Sequence, residues 1–147
     1  MKIVVLVVFL ALAILSLRGI RWAYITFIVL GLLYFPASVG FQITPKPCEI
    51  TFSLALGIFS LTNYGHIVRF AIFFAMSKIQ IRTPGWKPFI FAAAATIVMG
   101  ALVEIAEAVS GNGQCRSRDL IPDAAGGFVG FIIVLVWNKI RRRPVLS

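Results

Sequence analysis

Apolar residues fall along this chain in long runs separated by short polar breaks, and the run lengths set the predicted elements. Residues 3–16 form the first run. As a helix, about 14 residues reach only about 21 Å, against a hydrocarbon core of about 30 Å. Residues 22–41 are long enough to span, and Thr44-Pro45-Lys46-Pro47 ends that run because proline cannot continue a helix. Residues 50–61 are apolar but short, which predicts an interfacial or re-entrant helix. Further spans are predicted over 63–79, 89–108 and 119–137, separated by the turn-rich Arg82-Thr83-Pro84-Gly85-Trp86-Lys87-Pro88 and by Ser110-Gly111-Asn112-Gly113.

The pattern predicts an all-α, polytopic transmembrane helix bundle of four to five spans plus a short interfacial or re-entrant helix, with residues 1–147 as one domain. The count depends on the first run, which spans only where the bilayer thins. Lys2, the apolar stretch and Ala11-Leu12-Ala13 also resemble a signal peptide. Cleavage there would leave Arg18 and Arg21 on the translocated side, against the positive-inside tendency.

Composition agrees with this reading. Hydrophobic residues make up 60% of the chain, far above a water-soluble domain, and Trp22, Trp86 and Trp137 each stand at the edge of an apolar run, where amphipathic rings favour the headgroup level. The net charge of +9 would suggest nucleic acid if the basic residues lined a folded surface. They lie in short loops between apolar runs instead, so no nucleic-acid partner is expected. Arg18, Arg21, Lys78, Arg82, Lys87, Lys139, Arg141, Arg142 and Arg143 fall on one side, and only Lys2, Lys46, Arg116 and Arg118 on the other. The richer side is expected to be cytoplasmic, with a cytoplasmic carboxyl terminus in the inner or plasma membrane of the cell. All five acids, Glu49, Glu104, Glu107, Asp119 and Asp123, then lie toward the outer face.

Charges inside a membrane segment are costly, so their placement is the main functional signal. His66 and Arg69 share a helix face near the outer end of their span, and Glu104 and Glu107 share one at similar depth. Asp119, Asp123, Gly126 and Gly130 follow one stripe of the last helix, and Gly126-Gly127-Phe128-Val129-Gly130 provides a small-residue face for close helix approach. Arg69, Arg116 and Arg118 nearly balance Glu104, Glu107, Asp119 and Asp123, as buried ionisable groups require. The same set serves as a salt-bridge clamp or as a pocket for a polar ligand. No metal is expected, because no ligand spacing is diagnostic and the arginines would neutralise the carboxylates. Cys48 and Cys115 both fall in loops assigned outside, where an oxidising compartment permits a disulfide; two free thiols are the alternative.

At these residues the chain resembles the VanZ-like family of teicoplanin-resistance-type small membrane proteins. The family's Glu-x-x-Gln and Asp-x-x-x-Asn-x-x-Gly-Gly-x-x-Gly are similar to Glu104-Ile-Ala-Glu107 and to Asp119-Leu-Ile-Pro-Asp123-Ala-Ala-Gly126-Gly127-Phe-Val-Gly130, with Arg116 or Arg118 at the place of a preceding arginine. Asn63-Tyr-Gly-His66-Ile-Val-Arg69-Phe70 is similar to the family's Asp-Lys-x-x-His-x-x-x-Tyr, with Thr62, Asn63 and Phe70 in place of Asp, Lys and Tyr. Glu107 and Asp123 depart from the family's neutral amides and add two negative charges. The resemblance implies a single VanZ-like transmembrane domain of the cell envelope, linked in some members to glycopeptide resistance.

Two function classes follow. The leading one is a non-enzymatic envelope factor whose outer-face site, formed by His66, Arg69, Glu104, Glu107, Arg116, Arg118, Asp119 and Asp123, binds membrane lipids, a cell-wall precursor or a glycopeptide, without a cofactor. The other is an intramembrane enzyme acting on an envelope lipid, with Glu104 or Asp119 as base. A histidine-type lipid phosphatase needs a second histidine, and the chain has one. A transporter is disfavoured by the lack of an internal repeat.

Overall fold

The computed structural model describes residues 2–51 and 53–141, which fold as helices in the order α1 (Lys2–Leu17), α2 (Arg21–Ser38), α3 (Leu54–Ser60), α4 (Tyr64–Gln80), α5 (Lys87–Ser110) and α6 (Leu120–Arg141), with a 3-10 turn at Ser117–Asp119 leading into α6. Arg142 and Arg143, counted above toward sidedness, lie outside the described residues. Three segments, Arg21–Ser38, Lys87–Ser110 and Ser117–Arg141, are long and apolar enough to cross a membrane. The outside of the bundle is apolar as well: Ile90, Ile97, Val98 and Ile105 of α5 and Phe128, Ile133 and Val136 of α6 are exposed. A surface of that kind needs lipid or another apolar partner to cover it.

The 17-residue α4 is not among these three but is the hub of the bundle. It buries Phe70, Ala71, Phe73, Phe74, Met76, Ser77 and Gln80, and its polar residues lower its hydropathy without facing lipid where neighbouring helices cover them. α6 runs parallel to α4 and touches it through glycines. A methyl group on Gly126 would come within 2.5 Å of the Ile67 carbonyl oxygen, and one on Gly130 within 2.6 Å of the Ala71 carbonyl oxygen. One turn separates each pair, so only a stripe without side chains allows this contact. α5 runs antiparallel to both, placing Thr96 beside Gly127 and Gly100 beside Asp123. The first two helices close the other side of α4, with Tyr24 stacked on Phe73 at 5.9 Å and Phe9 edge-on to Phe27 at 5.4 Å.

A buried polar network joins α1, α2 and α4. The Tyr24 and Ser77 hydroxyls are 2.9 Å apart, and Ser77 donates to the Phe73 carbonyl. The Gln80 amide donates to the carbonyl and hydroxyl oxygens of Ser16. In an apolar surround each polar group costs free energy unless paired, so these pairs select one helix arrangement, with Gln80 Oε1 the one oxygen of the network buried without a partner among the described residues.

The short helix is smaller than the apolar run 50–61 predicts. α3 covers seven residues, because residues 44–51 are held extended across the end of α5 instead of entering a helix. Thr44 donates its hydroxyl to the Ser110 carbonyl and Lys46 its amide to the Ala108 carbonyl. Gly111 ends α5 at φ +65°, and any side chain there would meet the Thr44 carbonyl, so glycine serves both the left-handed cap and the crossing strap.

Candidate functional site

The end of the bundle at which α4 and α6 begin and α5 ends gathers the acidic residues. Asp123 lies in the first turn of α6 and is 2% exposed; its Oδ1 is 2.6 Å from His66 Nδ1 on α4. Against an ionised carboxylate, which only accepts, a neutral imidazole carries its proton on Nδ1 and keeps Nε2 as an acceptor. The ring lies nearly parallel to Phe70 one turn further, with centroids 6.4 Å apart. Asp123 Oδ2 is buried without a hydrogen-bond partner, and it faces Gly100 of α5, 2.9 Å from where a methyl group would sit. Hence one carboxylate oxygen is satisfied by His66 and the other is buried without a partner among the described residues.

Glu104 stands one turn beyond Gly100 on the same face of α5 and is 7% exposed. Its Oε2 accepts the Arg116 backbone amide at 2.6 Å, which fixes the loop between α5 and α6 over the site. Glu107, in the last turn, accepts the Gln114 backbone amide at 2.9 Å. Both glutamates therefore hold loop backbone. Asp119 ends the 3-10 turn half-buried, one turn before Asp123, and is the carboxylate of the stripe for which no side-chain hydrogen bond occurs among the described residues.

The arginines do not balance these carboxylates in the way the sequence predicts. Arg116 Nε lies 3.4 Å and Arg118 Nη1 3.9 Å from the two oxygens of Glu49, an acid placed outside the predicted set. The backbone explains this exchange. Cys48 and Cys115 form a disulfide, Glu49 donates its amide to the Cys115 carbonyl, and Ser117 donates to the Glu49 carbonyl, so residues 48–49 run parallel beside 115–116. Once Cys48 is joined to Cys115, Glu49 and Arg116 become neighbours; the cysteine pair was the signal in the sequence that could have found this ion pair. Arg69 is exposed on α4 and turns back over Gly65, with Nη2 3.1 Å from the position of a methyl group there. Its side chain points toward the amino-terminal end of α4, as long side chains on a helix do, and it has no ion-pair partner among the described residues.

The site thus comprises a His66–Asp123 pair beneath Glu104, roofed by the disulfide-linked strap 44–51 and the loop 111–119, with Arg69 at its rim. Gly100 is the residue that sequence reasoning missed: an isolated glycine in an Ala-rich helix carries no signal until the opposing carboxylate is known. Among the described residues no three His, Cys, Asp or Glu side chains converge as a metal site. The arrangement offers an imidazole nitrogen, an unpaired buried carboxylate oxygen and a peripheral guanidinium, a set whose chemistry matches a ligand carrying both hydrogen-bond donors and an anionic group. No protein-family model, curated protein sequence or solved structure matches the chain.

Proposed function

We propose that this chain is a multi-pass protein of the cell membrane, VanZ-like, with four to five spans and a cytoplasmic carboxyl terminus, whose disulfide-roofed site faces outward and binds an envelope lipid or a cell-wall-related ligand. A contribution to glycopeptide (teicoplanin) resistance belongs to the same proposal. One observation carries the reading: Asp123 Oδ2 is buried in the bundle without a partner while its other oxygen is held by His66. A pure clamp gains nothing from an unpaired buried oxygen, since each such group costs about 1–3 kcal/mol. A ligand donor, such as a hydroxyl, amide or ammonium group, satisfies it.

The same pair supports a second reading, an enzyme acting on an envelope lipid. An imidazole oriented by a carboxylate through Nδ1 can take a proton at Nε2, and Glu104 or Asp119 would then assist. The first reading is preferred because the buried Glu104 and the half-buried Glu107 are both engaged with loop backbone and the chain holds one histidine.

Native mass spectrometry of the purified chain with its co-purifying lipids separates these readings. Loss of one bound species in both Asp123→Asn and Arg69→Gln, with thermal stability kept, is the expected result. Unchanged lipid with lowered stability in Asp123→Asn assigns the cluster to a structural clamp, and turnover of the bound lipid abolished by Glu104→Gln assigns it to an enzyme.

A further inference from the structure

The opposite end of the bundle carries charge of one sign. Arg18 and Arg21 bracket the turn between α1 and α2, and Arg82 follows α4. The turn passes through Gly19 at φ +83°, and Arg82 Nη2 lies 3.3 Å from where a methyl group on Gly19 would sit. The Arg82 guanidinium therefore rests on the turn between the other two arginines. Beneath it, the Gln80 amide bonds to the Ser16 carbonyl at 3.1 Å and to the Ser16 hydroxyl at 3.3 Å, which locks the last turns of α1 and α4 together. The cluster is thus built on a buried support.

All three arginines are exposed, and among the described residues none has a carboxylate at ion-pair distance. Two other cations at this end differ. Lys78 lies over the Phe89 ring at 5.6 Å and Arg141 over the Trp137 ring at 4.8 Å, so each has an aromatic partner within the chain. Trp22 and Trp86, adjacent to this cluster in sequence, are 59% and 63% exposed, as rings at the membrane interface are. Like charges brought together without a counter-charge repel, and the anion that a bilayer supplies at that depth is a phospholipid phosphate. Guanidinium groups bind phosphate oxygens through paired N–H donors.

We propose that Arg18, Arg21 and Arg82 form a binding site for the phosphate of an anionic phospholipid headgroup, at the end of the bundle opposite the carboxylate site. Its occupancy ties the α1–α2 pair to α4 through a shared anion as well as through Gln80.

The test uses the full chain in detergent, titrated with dioleoyl phosphatidylglycerol or dioleoyl phosphatidylcholine and read by native mass spectrometry. Phosphatidylglycerol is expected to bind the wild type preferentially, with affinity falling about fivefold for each arginine changed to glutamine, Arg82→Gln first. Lys139→Gln with Arg141→Gln leaves binding unchanged, and Arg82→Lys recovers only part of the loss because the planar fork is gone. Equal binding of the two lipids, or an equal loss in the Lys139/Arg141 variant, overturns the site in favour of a diffuse field. Displacement of the lipid by millimolar glycerol 3-phosphate overturns the lipid as its occupant. Should a variant with Arg18, Arg21 and Arg82 all changed to glutamine fail to fold, Arg82→Gln alone reads the same contrast.

Discussion

Asp123 Oδ2 occupies the space that a side chain on Gly100 would fill, 2.9 Å from the position of the missing methyl group. The absence of one Cβ on α5 thus sets where a buried carboxylate of α6 stands, and with it where His66 of α4 is held. Three helices meet at this one relationship.

Gly100→Ala should displace the carboxylate and loosen the histidine. The added methyl group meets a rotatable side chain, so overpacking costs about 1–3 kcal/mol without preventing folding. Because the chain has a single histidine, nitrogen-15 NMR reports it without ambiguity. The imidazole should lose its fixed Nδ1–H tautomer, and an unchanged spectrum would refute the coupling.

The glycine stripe of α6 should respond in order. Methyl groups at Gly126 and Gly130 meet backbone carbonyls of α4, which cannot rotate away, whereas one at Gly127 meets the Thr96 methyl at 3.0 Å. Thermal unfolding in detergent should show Gly126→Ala and Gly130→Ala each losing about 3 kcal/mol or more, and Gly127→Ala about 1 kcal/mol. The reverse order would mean that α4 and α6 are not packed along this stripe.

Cys48→Ser should free the strap while leaving the α4–α6 contact intact. The bridge closes a sequence separation of 67 residues, and loss of such a link typically costs about 2–5 kcal/mol. Limited proteolysis should then cut within residues 41–51, and thiol labelling should find Cys115 reactive. A wild-type chain already labelled at both cysteines without reductant contradicts the bridge.

Tyr24 and Ser77 should couple. Tyr24→Phe removes one buried partner but leaves the Ser77 bond to the Phe73 carbonyl, so its cost is about 1 kcal/mol, with Ser77→Ala similar. A double-mutant cycle should give an interaction energy of about 0.5–1.5 kcal/mol. Additive losses would place the two hydroxyls out of contact.

Glu104→Gln keeps an acceptor for the Arg116 amide and should leave stability within about 1 kcal/mol of wild type, whereas Glu104→Ala orphans that amide at a cost of about 1–3 kcal/mol. Unfolding midpoints of the two variants decide this; equal losses would show that charge, not the hydrogen bond, is what the position supplies.

The sequence by itself determined the helical class, the positions of most breaks and the segregation of acids from the larger basic group, because apolar run length and the cost of charge in lipid are local quantities. It also marked the Gly126–Gly130 stripe and the two cysteines. Only the tertiary structure decided the partners. Ile50 opens an apolar run, yet the strap 44–51 that carries it is kept out of helix by bonds to residues far along the chain. Arg116 and Arg118 turn to Glu49 because the disulfide aligns 48–49 with 115–116, and Arg69, folded back onto Gly65 at the rim, pairs with none of the acids among the described residues. A chain of one sequence prescribes which residues can share a helix face. Which carboxylate meets His66, and which oxygen of it stays open, depends on how closely three helices approach, and that distance is set by Gly100, Gly126 and Gly130 acting together.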